Sequence, residues 1–261
     1  LPAILSVVLA LGVQRMATHK AVVKKLTSVE TLGSASVICS DKTGTLTRSE
    51  MTIQEVATAS GTTVVTGIGY APHGEVAPDA DRDGRPDPEP LAGALRDEVT
   101  VVLSGGTLAS DAELSVTEDV WSVVGDPTEG AFLVAEKKLG THGHREGRFG
   151  RIGEVPFTSE RKMMSVLLTD TEHGTIIVSK GAPDVLMEHC TQMRLGETAT
   201  ELTEGARARF TEHIADMSGR ALRTLGVGYR ILTDEEAARV REAAGSDGEA
   251  DLSDLERGLV L

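Results

Sequence analysis

The run Ala35-Ser36-Val37-Ile38-Cys39, followed at once by Ser40-Asp41-Lys42-Thr43-Gly44-Thr45-Leu46-Thr47, constrains this chain more than any other stretch. Small and β-branched residues without polar alternation predict a strand buried on both faces of a parallel sheet. A polar, glycine-containing turn comes next and places Asp41 at the carboxyl end of that strand, where open α/β sheets bind their ligands. A carboxylate there is a candidate nucleophile toward phosphorus, able to carry a phosphoryl group as an acyl phosphate. Lys42, and the Mg²⁺ that such chemistry requires, would offset the charge gathered on the phosphate. Gly44 lets the backbone come close, and the hydroxyls of Thr43 and Thr45 are candidate partners of phosphate oxygens. A plain Asp-Lys-Thr-Gly surface turn is the alternative.

The string DKTGTLT at 41–47 resembles the phosphorylation motif of P-type ATPases, the ion pumps with a phospho-aspartate intermediate. The resemblance implies Asp41, Lys42 and Thr43 as catalytic residues, with Asp41 and Thr43 as ligands of Mg²⁺. Related haloacid-dehalogenase-like phosphatases generally carry a second Asp two residues after the nucleophile, as general acid and base. That place is Thr43 here, so hydrolysis of the acyl phosphate lacks its usual proton shuttle. A phospho-enzyme that persists favours a pump over a phosphatase.

With 261 residues the chain is long enough for about two domains. Its formal net charge of −14 argues against a nucleic-acid partner, because a phosphate backbone demands a basic face. Aromatics at 3% also leave little material for stacking single strands. Cys39 and Cys190 fit no metal spacing, and reduced thiols are the default. The nearly all-apolar residues 1–13 are too few to span a bilayer, for which about twenty are needed. No basic segment precedes them, against a signal peptide. A buried core helix is one reading. The other is the cytoplasmic end of a transmembrane helix, with Arg15, Lys20, Lys24 and Lys25 on the positive-inside flank.

The helix is expected to continue over 14–27, and 28–33 to form a second helical turn. Residues 1–52 resemble the type II, calcium-pump-like branch, where an ion-pathway helix runs directly into the phosphorylation domain. Strands are expected at 52–56 and 62–66, then a Gly-, Pro- and Asp-rich loop over 70–90. Its Asp79-Ala80-Asp81-Arg82-Asp83-Gly84 copies the start of a calcium loop, but the twelfth position is Pro90; an acidic hairpin tip is the plainer reading. Leu91, Leu95, Val99, Val102 and Leu103 recur at helical spacing. Residues 123–135 read as a strand end, a turn with Pro127 at a helix start, and a helix. A basic linker over 140–151 holds His142 and His144, an exposed pair in preference to a metal site. Strands follow at 152–157, 163–169 and 175–179. Helical spacing returns at 185–187 and at Phe210, Ile214 and Met217. A strand at 222–229, a charged helix at 235–244 and an acidic turn at 245–251 complete the pattern.

Three pieces of this strand-rich region resemble the nucleotide-binding domain of the same family. In Gly125-Asp126-Pro127-Thr128-Glu129 the resemblance implies that Glu129 faces the exocyclic amine of adenine, a role a carboxylate acceptor suits. An exposed charge in a first helical turn is the plain reading of Glu129. In Val155-Pro156-Phe157-Thr158-Ser159-Glu160-Arg161-Lys162, Phe157 would stack on the base, with Arg161 and Lys162 toward the polyphosphate or neighbouring carboxylates. A Phe that caps the sheet is the alternative. In Ser179-Lys180-Gly181-Ala182-Pro183-Asp184 a strand ends on Lys180, and Gly181 leaves room for a flat ring. Arg223 matches the family Arg that contacts the ATP phosphates.

The resemblance implies an α/β and α+β fold in two parts. The first is the opening strand of a haloacid-dehalogenase-like parallel sheet; the second is a mostly antiparallel sheet flanked by helices. The boundaries read 1–16 for the end of a transmembrane helix, 17–51 for part of the phosphorylation domain, and 52–261 for the nucleotide-binding domain with its final strand truncated. The implied whole is an ATP-driven cation pump using ATP and Mg²⁺, of which this is a cytoplasmic portion at the plasma membrane. Its partners would be the actuator, the rest of the phosphorylation domain, the membrane helices and the bilayer. The chain alone is expected to bind ATP without turning it over. A haloacid-dehalogenase-like phosphohydrolase and a non-catalytic nucleotide-binding module are the alternatives. The transported ion is not legible, since its ligands would lie in membrane helices.

Overall fold

In the computed structural model, which describes residues 2–25, 27–145, 147–244 and 252–261, the chain forms two units, Leu1–Ser49 and Glu50–Leu261. The expected acidic turn at 245–251 lies outside the described residues. In the first unit, α1 (Pro2–Thr18) stops well before residue 27. Lys20 takes φ 61°, and the Ala21 N–H returns to the Met16 carbonyl at 3.0 Å, closing the helix end. At about 1.5 Å per residue, its 17 residues reach about 25 Å, short of a hydrocarbon core of about 30 Å. No helix among the described residues is long and apolar enough to cross a membrane. The expected second helix is α2 (Thr27–Gly33).

Residues 35–39 correct the sequence reading: they form no strand, and Val37 and Ile38 are 75% and 90% exposed. A parallel strand draws its hydrogen bonds and its burial from flanking strands, and the described residues of this unit supply none. The motif after it is a single π-helical turn, Lys42–Leu46, closed by the Thr47 N–H on the Lys42 carbonyl at 3.1 Å. The parallel sheet is therefore absent from the described structure, and the antiparallel part carries the fold.

The second unit is built on a seven-stranded sheet in the order β10-β9-β12-β11-β8-β7-β6. Its members are β6 (Phe149–Val155), β7 (Met163–Asp170), β8 (Gly174–Gly181), β9 (Cys190–Leu195), β10 (Thr198–Glu201), β11 (Gly226–Ile231) and β12 (Leu259–Val260). Among the described residues of this sheet, only the β12–β9 pairing is parallel. The central strands β7 and β8 are apolar on both faces, and their period-2 alternation splits them between two cores. Met164, Val166, Leu168, Ile176 and Val178 join Val99, Leu103 and Phe132 on one face. Met163, Leu167 and Ile177 join Leu186, Leu202, Val240 and Leu259 on the other. Each such side chain stabilises the fold by about 1.5–3 kcal/mol through burial.

The first face is covered by α3 (Gly93–Leu108) and α4 (Pro127–Leu139), the other by α5 (Pro183–His189), α6 (Glu204–Gly219) and α7 (Asp234–Ala244). A three-stranded sheet of β1 (Glu55–Thr58), β2 (Gly61–Val65) and β3 (Val76–Pro78) lies against α3, and β4 (Glu113–Thr117) pairs with β5 (Val120–Val124) as a hairpin. The calcium-like loop closes on itself. Buried Asp79 accepts the N–H groups of Asp83 and Gly84, each at 3.0 Å, forming a turn between β3 and α3 and not the expected hairpin tip.

Candidate functional site

The end of the large sheet at which β8 finishes is also where β7 and β11 begin, because Gly181 is in register with Met163 and with Gly226. Three loops therefore converge there: 156–162 before β7, 182 after β8, and 220–225 before β11. The first turn of α4 reaches the same end through Glu129. Pro127 opens α4, and Asp126 caps it by accepting the Thr128 N–H at 2.7 Å.

At this point Lys180 Nζ lies 3.1 Å from Glu129 Oε1 and donates to Ser110 Oγ at 3.2 Å. The amine also stands 5.7 Å from the centroid of the Phe132 ring. Burial pulls the Lys180 pKa below the usual lysine value, and the charges of Glu129, Asp126 and Asp111 oppose that fall. Glu129 Oε2 accepts the N–H groups of Asp111 at 2.9 Å and Ala112 at 3.2 Å. Among the described residues, Oε1 takes one hydrogen bond, from Lys180, of the two that a carboxylate oxygen can accept. For Asp126, burial pushes the carboxyl up, but hydrogen bonds from Thr128 and Glu129 and the charge of Arg223 hold it below the ordinary value. That charge places Arg223, which is exposed, on the Asp126 side of the site.

Phe157 is 57% exposed on the loop that joins β6 to β7. Lys162 is exposed at the end of the same loop with φ 55°, and its carbonyl accepts the Ala182 N–H at 2.9 Å. The loops before β7 and after β8 are thus tied together directly. Arg161 is turned to a neighbouring carboxylate, with Nη2 held at 2.5 Å from both oxygens of Glu256. Gly181 has a packing reason of its own. A Cβ there would lie 2.5 Å from Met163 Cβ and 2.6 Å from the Lys162 carbonyl oxygen. In the direction of a Cβ the space is filled by β7, so strand packing by itself requires the glycine.

Asp41 and Lys42 are exposed, and the Thr43 side chain lies outside the described ones. Among the described residues, the cluster of three potential metal ligands is Asp170, Glu172 and His173, with Arg148 paired to Asp170 and Glu172. A hard octahedral ion needs several oxygen ligands. The described residues include no group of three such ligands at Asp41, and the Thr43 side chain is not among them. His142 is exposed, and the His144 side chain lies outside the described ones.

A cleft of about 1330 Å³ in the second unit shares Thr128, Phe132, Pro183 and the 221–226 segment, Arg223 included, with this sheet end. Glu129, Phe157, Lys162 and Lys180 are not in its lining. The chemistry points to the end of the sheet, where Lys180, Glu129 and Asp126 gather. Ser110, Asp111 and Asp126 belong to the site without having been singled out from sequence. The Asp-Pro pair at 126–127 carried an N-cap signal; Ser110 carried none, because only the α3–β4 connection brings it to Lys180.

Residues 98–261 match the family described as P-type ATPase, cytoplasmic domain N. The chain is 36% identical over 244 residues to a "Calcium-transporting ATPase" of Bacillus subtilis, covering 93% of this chain and 26% of that protein. It is 35% identical over 262 residues to "Cation-transporting ATPase pma1" of Synechocystis, covering 100% of this chain and 27% of that one. Against the human "Calcium-transporting ATPase type 2C member 1" it is 38% identical over 232 residues, covering 87% of this chain and 24% of the other. The chain thus spans about a quarter of the length of these relatives.

Proposed function

Because this chain belongs to the P-type ATPases, as their cytoplasmic domain N, we propose that Glu50–Leu261 is an ATP-binding module of a cation-transporting pump. The observation that carries this reading is the Lys180–Glu129 pair at the sheet end where the loops bearing Phe157, Lys162 and Arg223 converge. Glu129 accepts the adenine amine, Phe157 stacks on the ring, and Lys180 and Gly181 form the floor. Lys162 and Arg223 supply positive charge toward the phosphates. Arg161 serves the site from behind, through Glu256.

In the whole pump Asp41 attacks the γ-phosphorus, the bond to the β-phosphate oxygen breaks, and ADP leaves an acyl phosphate on the carboxylate. Lys42 and Thr43 assist at that carboxylate. When Mg²⁺ is bound, as the resemblance implies, Asp41 and Thr43 would supply ligands to it and it would offset charge on the phosphate. Residues 17–51 belong to the phosphorylation domain, and 35–39 join its parallel sheet once neighbouring strands are present. Residues 1–16 are the cytoplasmic end of a membrane helix, at the plasma membrane. The actuator, the rest of the phosphorylation domain and the membrane helices are the remaining partners.

The test is calorimetric titration of the 261-residue chain with ATP. Binding in the parent should weaken by about 1–3 kcal/mol in Phe157→Ala, the scale of base–aromatic stacking. An unchanged affinity in a folded Phe157→Ala variant would overturn the assignment. Phosphate release from ATP by the same chain would favour the phosphohydrolase reading, which Thr43 disfavours.

A further inference from the structure

Under the loop that carries Phe157 lies a closed polar network. Glu256 is only 2% exposed, yet it is a carboxylate. Arg161 Nη2 donates to both of its oxygens at 2.5 Å, and Ser165 Oγ donates to Oε1. Ser165 Oγ in turn meets Ser179 Oγ at 2.7 Å, so the network crosses from β7 to β8. Arg161 spends its other terminal nitrogen on the loop itself, since Nη1 donates to the Pro156 carbonyl at 2.8 Å. Thr158 completes the grip: its Oγ1 accepts the Arg161 N–H at 3.2 Å and its carbonyl accepts the Lys162 N–H at 2.8 Å.

Phe157 therefore stands between two residues, Pro156 and Thr158, that are both held from Arg161 and Lys162. Its own ring is 57% exposed and has little packing to fix it. The backbone decides where the ring points, and Arg161 decides the backbone. Arg161 is in turn fixed by Glu256, 95 residues further along the chain. That residue sits between the short turn Ser253–Leu255 and β12, and its carbonyl meets His189 Nδ1. A buried carboxylate is tolerated here because one charged guanidinium nitrogen serves both of its oxygens and the hydroxyl of Ser165 is donated.

We propose that Glu256 is a positioning residue for nucleotide binding: through Arg161 it fixes the 156–162 loop, and so the Phe157 ring, without touching the nucleotide. The proposal rests on the reading of Phe157 as the base-stacking residue. It makes Arg161 a strut of the site and not a ligand of the polyphosphate. The exit of the chain through β12 then becomes a part of the nucleotide site, since Glu256 lies within three residues of that strand.

Calorimetric titration of the 261-residue chain with ATP, and separately with adenosine, tests this. The proteins are the parent, Phe157→Ala, Glu256→Gln, Arg161→Lys, and each clamp variant combined with Phe157→Ala. Arg161→Lys keeps the charge but loses the planar fork, and it serves if Glu256→Gln does not fold. Each clamp variant is expected to lose about tenfold in affinity, a usual scale for a supporting partner behind a binding group. The loss should be equal for ATP and adenosine, because it arises at the ring. Adding Phe157→Ala to a clamp variant should cost little more, because the two changes remove one interaction. A larger loss for ATP than for adenosine would overturn the proposal and make Arg161 a phosphate ligand. Fully additive losses, or parent-like affinity in a folded clamp variant while Phe157→Ala is weakened, would overturn it as well. If Phe157→Ala by itself changes neither affinity, the stacking reading fails first.

Discussion

Lys180 and Glu129 meet at 3.1 Å, joining the end of β8 to the first turn of α4 across the sheet end. Their side chains are 8% and 14% exposed, so each charge depends on the other for compensation. Lys180→Met should therefore leave Glu129 uncompensated and cost about 3 kcal/mol of stability. Glu129→Gln placed in that background should recover a good part of the loss. Urea midpoints of the parent, the two single variants and the double variant measure this. Additive losses would show that the pair is not coupled.

Gly181→Ala should destabilise by about 1–3 kcal/mol, the scale of overpacking in a tight interior. The added Cβ would meet Met163 Cβ at 2.5 Å and Met163 Cα at 2.7 Å, where backbone has to move. Thermal unfolding reads the cost directly. A variant as stable as the parent would mean that β7 and β8 separate there more easily than their register implies.

Much of the second unit was legible because its strands are buried on both faces. Residues 163–169 and 175–179 read as strands from apolar content alone, and they are β7 and β8. The α3 stripe was legible as well, since Val99 and Leu103 recur at helical spacing and are both fully buried. The strands β9, β10 and β12 escaped notice. β10 is short and mostly exposed, β9 carries Thr, Gln and Arg, and β12 has two residues. Residues 35–39 failed for the opposite reason. Their composition suits a buried strand, but composition cannot supply the neighbours that bury it. In the site, motif order pointed to Glu129 and Lys180, and the structure joins them. The network behind Arg161 was illegible, because Glu256 is an unremarkable acid in a solvated-looking stretch of sequence.

Glu98 offers a control for stability without binding. It is 2% exposed, and its Oε1 accepts Ser60 Oγ at 2.6 Å and the Gly196 N–H at 2.7 Å. It ties α3 to the β1–β2 turn and to the β9–β10 turn. Glu98→Ala would leave those donors unpaired and should cost about 3 kcal/mol or more. ATP affinity of the folded fraction should stay within about twofold of the parent, since none of these groups belongs to the sheet end described above. A tenfold change in affinity would contradict the placement of the site.

Acid stability should depend on Glu236. Hydrogen bonds from Arg230 at 2.8 and 3.0 Å, helped by Thr233, outweigh burial and bring its carboxyl down to about 2 from 4.5. A depressed carboxylate contributes stability that is complete above its unfolded value and disappears as pH falls through the folded one. The window therefore runs from about pH 4.5 down to about 2. Glu236→Gln should melt lower than the parent at pH 7, with the gap closing across that window. A gap of constant size between pH 7 and pH 2 would refute the linkage.

The chain should bind ATP and yet not turn it over, although DKTGTLT is intact. Phosphoryl transfer relies on positioning and on charge stabilisation around the γ-phosphate. Asp41 is exposed on an exposed stretch, and the described residues assemble no oxygen cluster around it. With no paired strand at 35–39, the amides of Val37, Ile38 and Cys39 should exchange with solvent as fast as those of an open coil. Protection at these amides in a monomer would show that the strand is supported after all. In the whole pump, Asp41→Asn should bind ATP as well as the parent or better, since one negative charge facing the γ-phosphate is gone. It should form no hydroxylamine-sensitive phosphate, because an amide is a poor nucleophile. Steady ATPase activity of the 261-residue chain that vanishes in Asp41→Asn would overturn the first half of this prediction. It would mean that an unsupported motif turn is enough to hold the reacting atoms in line.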